Sequence, residues 1–151
     1  MTFQIAALVL LSLMTPHKEP KVLPYFGTEQ VECLTQNIYY EAPNETYEGK
    51  LAVATVTLNR VQNREFPKTV CGVVYQKGQF SWTKGKRPVH GLKTYQEAKR
   101  IAMDVLFNNT RLKSIKNALY FHNMSVTPKW SITMYPIQRI GGHIFYVTRR
   151  S

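Results

Sequence analysis

Acidic side chains are scarce in this sequence. Nine Asp and Glu stand against twenty Lys and Arg, and only one of the nine, Asp104, is an aspartate. Carboxylate chemistry therefore has few candidates: Glu19, Glu29, Glu32, Glu41, Glu45, Glu48, Glu65, Glu97 and Asp104. The resulting net charge of +11 draws the surface toward polyanions, whether nucleic acid, anionic lipid or phosphate-rich envelope polymers. Cysteine is rarer still. Cys33 and Cys71 lack the partner pattern of a catalytic thiol or a zinc site. An exported protein can join them in a disulfide, whereas a cytosolic one keeps two buried thiols. The apolar run from Phe3 to Met14 is too short to span a bilayer comfortably. It suits the hydrophobic part of an export signal or a weak membrane anchor, although no Lys or Arg precedes it and no clear small-x-small site follows. A buried or interfacial helix is the other reading. Thr15 to Pro24 carries three prolines and mixed charge and reads as a linker, so residues 1–24 are expected to be leader and linker and 25–151 the folded domain.

What is present suffices for one compact domain: 44% hydrophobic and 12% aromatic residues in 151. Its centre is Val31 to Arg60. Val31, Leu34, Ile38, Tyr39 and Tyr40 recur at helical spacing, and Pro43 ends that helix because the preceding residue avoids helical geometry. Asn44 or Thr46 can cap a second helix, with Glu45 and Glu48 favourably placed at its positive end. Leu51, Ala54, Leu58 and Val61 form one stripe of it, and Ala52, Val53 and Val56 cover much of the rest, so this helix is buried on most sides. Glu41 thus sits beside two tyrosines at a junction next to a buried helix. In that setting a glutamate can keep its proton near neutral pH, although most glutamates near helix ends are simply solvated.

Phe66 to Leu92 is rich in Gly, Pro and Lys and centres on Gln79-Phe80-Ser81-Trp82. Rings interleaved with an amide and a hydroxyl suit a sugar polymer, while lone aromatics in a loop more often plug the core. Thr94-Tyr95-Gln96-Glu97 has capping-box spacing and opens a third helix running to about Asn108, with Asn108-Asn109 suiting its end. Ala118 to Asn123, Ile137 to Gly141 and His143 to Thr148 read as short strands of an antiparallel sheet, with Thr127 to Tyr135 a loop carrying Trp130. The expected class is α+β, mostly helical with a small sheet in the C-terminal third. His122 and His143 fall in neighbouring strands, but two histidines without a third ligand make a poor zinc site.

NIYYEA, YEGKLAVATVTLNRV, FPKTVCGVVYQKGQFSW, ALYFHN (118–123) and IGGHIFYV (140–147) together resemble the catalytic domain of the SleB-type spore-cortex-lytic cell-wall hydrolases. The resemblance runs from about Val31 to Val147 and implies a lysozyme-like fold. It places the Gln79–Trp82 motif in the substrate cleft and implies no metal and no cofactor. Relatives with cysteines at positions 33 and 71 often carry a further pair flanking the QFSW motif; here those places hold Gly78 and Lys84. A structural bridge between Cys33 and Cys71 is the reading favoured.

Cleaving a β-1,4 glycosidic bond needs a carboxylic acid to protonate the leaving oxygen, with its pKa raised by an apolar setting. Ordinary glycosidases add a second carboxylate. Glu45 and Glu48 are the nearby candidates, and both fit better as charges at a helix N-terminus. A lytic transglycosylase avoids the need: one glutamate gives its proton and then takes one from the sugar's own C6 hydroxyl, closing a 1,6-anhydro ring. The resemblance points the same way, to cleavage between N-acetylmuramic acid and N-acetylglucosamine. Glu41 is then expected in both roles, with Tyr40, Gln79, Ser81, Tyr120, His122 and His143 holding the glycan. The expected partners are peptidoglycan strands and anionic envelope polymers, with no nucleic acid and a transient membrane association through the N-terminal segment. Export to the envelope follows, or cytoplasmic residence if the leader is not functional. A hydrolytic muramidase, a zinc amidase and a non-catalytic envelope-binding module are the rivals.

Overall fold

The computed structural model describes residues 27–85 and 87–149. The proposed leader and linker lie outside them. The chain forms α1 (Thr28–Glu41), α2 (Tyr47–Gln62), α3 (Val70–Val74), α4 (Leu92–Phe107), β1 (Tyr120–Asn123), β2 (Met134–Ile140) and β3 (His143–Thr148). Single 3-10 turns occupy Ser81–Lys84, Lys113–Ile115 and Lys129–Thr133. The sheet is antiparallel in the order β1-β3-β2. The expected α+β class holds.

Helix α2 is the shared member of two cores. Leu51, Ala54 and Leu58 pack with Leu34 and Ile38 of α1 and with Ile101, Ala102 and Val105 of α4. Ala52 and Val56, one step round the helix, pack with Ile115, Ala118, Ile140 and Phe145 on the sheet side. A third, smaller cluster joins Phe66, Val73 and Leu119. Every residue from Gly49 to Leu58 is buried, as an apolar surface on nearly all sides of a helix requires. Its buried hydroxyls are satisfied locally: Thr55 donates to the Leu51 carbonyl at 2.8 Å, and Thr57 to that of Val53 at 3.1 Å. Thr57 also accepts from Asn37 of α1 at 3.1 Å, fixing the two helices in register.

The chain reverses between α1 and α2 as the proline predicts. The helix stops at Glu41, and Thr46 caps α2 by accepting the Gly49 N–H at 3.4 Å. Cys33 and Cys71 are bonded, with their Cα atoms 5.2 Å apart, tying α1 to α3.

Three local expectations need correction. The third helix begins at Leu92 rather than at a Thr94 capping box, and no side chain caps it. The buried Tyr39 hydroxyl instead accepts the N–H groups of His90 and Gly91 at 3.1 and 3.2 Å, so a tertiary contact sets the start. The segment after α2 contains α3, which is too short to show periodicity; its signal was Thr69, which accepts the Gly72 N–H at 3.0 Å. Strand β2 begins at Met134, before Pro136, and not at Ile137. Proline is tolerated there because β2 is an edge strand, and a bulge between Pro136 and Gln138 restores the pairing.

Candidate active site

Glu41 is the last residue of α1, next to the free carbonyls at the negative end of that helix. Burial raises its pKa from 4.5 to about 7, against the pull of the Arg60 and Arg87 charges, which lower it. Its carboxyl opens into a cleft of about 370 Å³ lined by Gly78, Gln79, Phe80, Ser81, Lys84, His122, Asn123 and Val126. One wall is the turn after α3, where Gly78 has φ +81°, and the other is the end of β1. Phe80 and Phe121 pack behind the walls at 6.2 Å between ring centroids and join them.

Arg60 is the main cation near Glu41, and it is 4% exposed. Its guanidinium lies 5.3, 5.5 and 5.6 Å from the ring centroids of Phe66, Phe80 and Tyr120. Nε donates to the Leu119 carbonyl at 2.7 Å, while one terminal nitrogen, Nη1, is buried with no partner. Burial lowers the Arg60 pKa to about 10, which still leaves it charged at neutral pH.

Of the residues expected to hold a glycan, the cleft gathers Gln79, Ser81 and His122 around Glu41. The His122 ring is already engaged on both sides. Nδ1 lies 2.9 Å from the Asn123 carbonyl, which can only accept, and Nε2 lies 2.8 Å from the Tyr146 hydroxyl. His122 therefore carries its proton on Nδ1 and offers the cleft a fixed wall.

Tyr40, Tyr120 and His143 are not in the lining. Tyr40 stacks on Trp82 at 4.8 Å across the 3-10 turn and faces a separate groove. Tyr120 packs on Phe66 and Trp130 and helps to enclose Arg60. His143 is 3% exposed, with Nδ1 lying 3.5 Å from Glu45 Oε1 and its ring edge against Phe121. Burial lowers its pKa and outweighs the Glu45 carboxylate, so His143 is neutral at pH 7. Among the described residues, no three His, Cys, Asp or Glu side chains come together as a metal site.

The family model described as Cell Wall Hydrolase matches residues 44–146. The chain belongs to the cell wall hydrolase family. Within that family it is 32% identical over 121 residues to the spore cortex-lytic enzyme of Bacillus cereus, covering 80% of this chain and 45% of that protein. It is 31% identical over 122 residues to the enzyme of the same description from Bacillus subtilis, with 80% and 38% covered. The chain thus spans less than half the length of these curated relatives. Among solved structures, the catalytic domain of the Bacillus cereus SleB protein superposes with a TM-score of 0.65 at 31% identity, covering 82% of this chain and 93% of that one. The catalytic domain of the germination-specific lytic transglycosylase SleB from Bacillus anthracis gives 0.66 at 31% identity, with 82% and 98% covered.

Arg60, Lys84, Asn123 and Val126 also belong to the site of this cell wall hydrolase, and none was expected there from the sequence. Arg60 had a signal: it falls at i+4 from Val56 and i+7 from Val53, on a buried helix face where a charge is out of place. Lys84 and Val126 had none, since they reach the cleft through turns.

Proposed function

We propose that this chain is a peptidoglycan-cleaving lytic transglycosylase that cuts between N-acetylmuramic acid and N-acetylglucosamine, with Glu41 as its acid and base. The observation that carries this reading is Glu41 itself, a carboxyl group in a sugar-sized cleft, held near a pKa of 7 by burial. At neutral pH about half of such groups carry a proton, which suits one residue that must first give a proton and then take one. The superposed SleB domain from Bacillus anthracis, that of a germination-specific lytic transglycosylase, supports the same reaction class.

The glycosidic oxygen takes the Glu41 proton as its bond to C1 of muramic acid breaks. The carboxylate left behind faces the positive charge developing at C1 and the ring oxygen, and the Arg60 and Arg87 charges stabilise it in its ionised form. Glu41 then removes the proton of the C6 hydroxyl as O6 bonds to C1. The products are a 1,6-anhydro-muramic end and a free N-acetylglucosamine 4-hydroxyl, with no water consumed. Gln79, Ser81 and Asn123 supply amide and hydroxyl groups for the acetamido and hydroxyl substituents, with His122 as the wall that orients them.

The substrate places the work outside the cytoplasm, and the Cys33–Cys71 bridge suits an oxidising compartment. Among the described residues, no helix is long and apolar enough to cross a membrane.

Mass spectrometry of fragments released from purified peptidoglycan tests the reaction. Anhydro-muramic ends, lighter than hydrolysed ends by one water, are expected. Reducing muramic ends would replace the transglycosylase with a muramidase, and no release from folded protein would overturn the reading.

A further inference from the structure

A second groove, of about 600 Å³, borders the 3-10 turn Ser81–Lys84, which also borders the Glu41 cleft. The two share Lys84 in their linings. Tyr40, Tyr75 and Trp82 form the walls of this groove: Tyr40 stacks on Trp82, and Tyr75 meets the same indole edge-on at 5.8 Å. Gln36 lines it too and accepts a hydrogen bond from the Tyr75 hydroxyl. Lys84 and Arg87, both exposed, supply two cations and no compensating acid in the lining. Arg87 is anchored by its backbone, where its carbonyl accepts from the Tyr40 hydroxyl at 2.7 Å. Of the acids nearby, Glu32 is occupied, accepting from Gln36 at 3.0 Å and from Tyr95, and Glu41 lies in the adjoining cleft within reach of the Arg87 charge.

We propose that this groove binds the carboxylate-bearing peptide stem of muramic acid, making the chain selective for peptide-substituted glycan. The inference rests on peptidoglycan being the substrate. A stem leaves the sugar ring through the lactyl ether at O3, so a muramic residue held at Glu41 directs it to one side of the cleft, and Lys84 links the two spaces. The stem's chemistry matches the lining. Its short aliphatic side chains and backbone suit aromatic walls, and its free carboxylates suit an exposed lysine and arginine. A stripped glycan keeps only the lactyl carboxylate beside its ring and brings no stem carboxylate to this groove.

Binding of the full chain carrying Glu41→Gln is measured by calorimetric titration with soluble, un-cross-linked glycan strands freed of teichoic acids. One sample keeps its stems, and the other has been stripped by an amidase, which leaves only the lactyl carboxylate on each muramic residue. The stem-bearing material is expected to bind about tenfold more tightly, the scale of two solvent-exposed ion pairs together. Adding Arg87→Glu should abolish that ratio, whereas Lys99→Gln with Lys113→Gln, which removes two exposed cations elsewhere, should leave it. The ratio between the two materials cancels any effect of a variant on glycan binding as such. Equal binding to both, or equal loss from the distant pair, overturns the stem proposal. Anhydro ends released by the unmodified protein report separately on the reaction, so equal binding with anhydro ends sinks only the stem site. Preferential binding without any release sinks only the catalytic reading.

Discussion

Glu45 accepts the Gly142 N–H at 3.0 Å across 97 residues of sequence, fastening the start of α2 to the β2–β3 turn. A side chain at either glycine of the turn would displace the Glu45 carboxylate. A Cβ on Gly141, whose φ is +55°, would stand 1.8 Å from Glu45 Oε2. A glutamate that is a plausible second catalytic carboxylate from sequence thus has a structural post.

Replacement of Glu45 separates those two jobs. Glu45→Ala should lower unfolding stability by about 1–3 kcal/mol, the cost of a half-buried N–H left without its acceptor. Glu45→Gln keeps an acceptor oxygen and should lose less than about 1 kcal/mol while retaining most activity. Thermal denaturation and a peptidoglycan-release assay check both, and an activity loss in Glu45→Gln as deep as that of Glu41→Gln would point to a two-carboxylate hydrolase.

Glu41→Gln should fold and lose about 10²–10⁴-fold in rate, because an amide preserves shape but delivers no proton. Its stability should move the other way. The folded state raises the Glu41 pKa from 4.5 to about 7, so the cost of burying the charge is absent below pH 4.5 and complete above about 7. The variant should therefore match the parent near pH 4.5. At pH 8 it should exceed it by about 1–3 kcal/mol, a range discounted for the carboxyl's partial contact with solvent. Denaturant titrations at the two pH values read this directly.

Arg60→Met removes the buried cation that holds the Glu41 pKa down. The alkaline fall in activity, set by loss of the Glu41 proton near pH 7, should move to higher pH in this variant. The pH–rate profile is the measurement, and a profile unchanged in position would show that Arg60 does not act on Glu41. Some stability will be lost as well, since the Leu119 carbonyl loses its donor at 2.7 Å.

The bridge between Cys33 and Cys71 closes a loop of 38 residues. Chain entropy alone makes that worth about 3–4 kcal/mol. Reductant, or Cys33→Ser with Cys71→Ser, should lower the denaturation midpoint accordingly, and an unchanged midpoint would mean the reduced chain is equally constrained.

The helices around Glu41 were legible because their signals are local: apolar spacing in α1 and α2, a proline at the corner, and Thr46 as a cap. The carboxyl's raised pKa followed from its placement between them. The start of α4 was not legible, because it depends on a hydroxyl from Tyr39, 51 residues earlier in the chain. His143 looked like a ligand contact from its motif, yet strand pairing puts it opposite Asn123 with its ring buried against Phe121. Alternation along a strand predicts two faces but not which one meets the cleft. Lys84 and Val126 were invisible for the same reason that most loop residues are: their position is fixed by what the loop packs on.

The position of α2 between the two cores also decides how the glycan can enter. One wall of the cleft is joined to the other through Phe80 and Phe121, and both are backed by elements packed on α2. Both rest, among the described residues, on a helix buried from Gly49 to Leu58, so parting the walls at their base would uncover that stretch. On the proposed function, the cleft therefore meets its glycan as a preformed mould, and strands that must bend to fit carry that cost themselves.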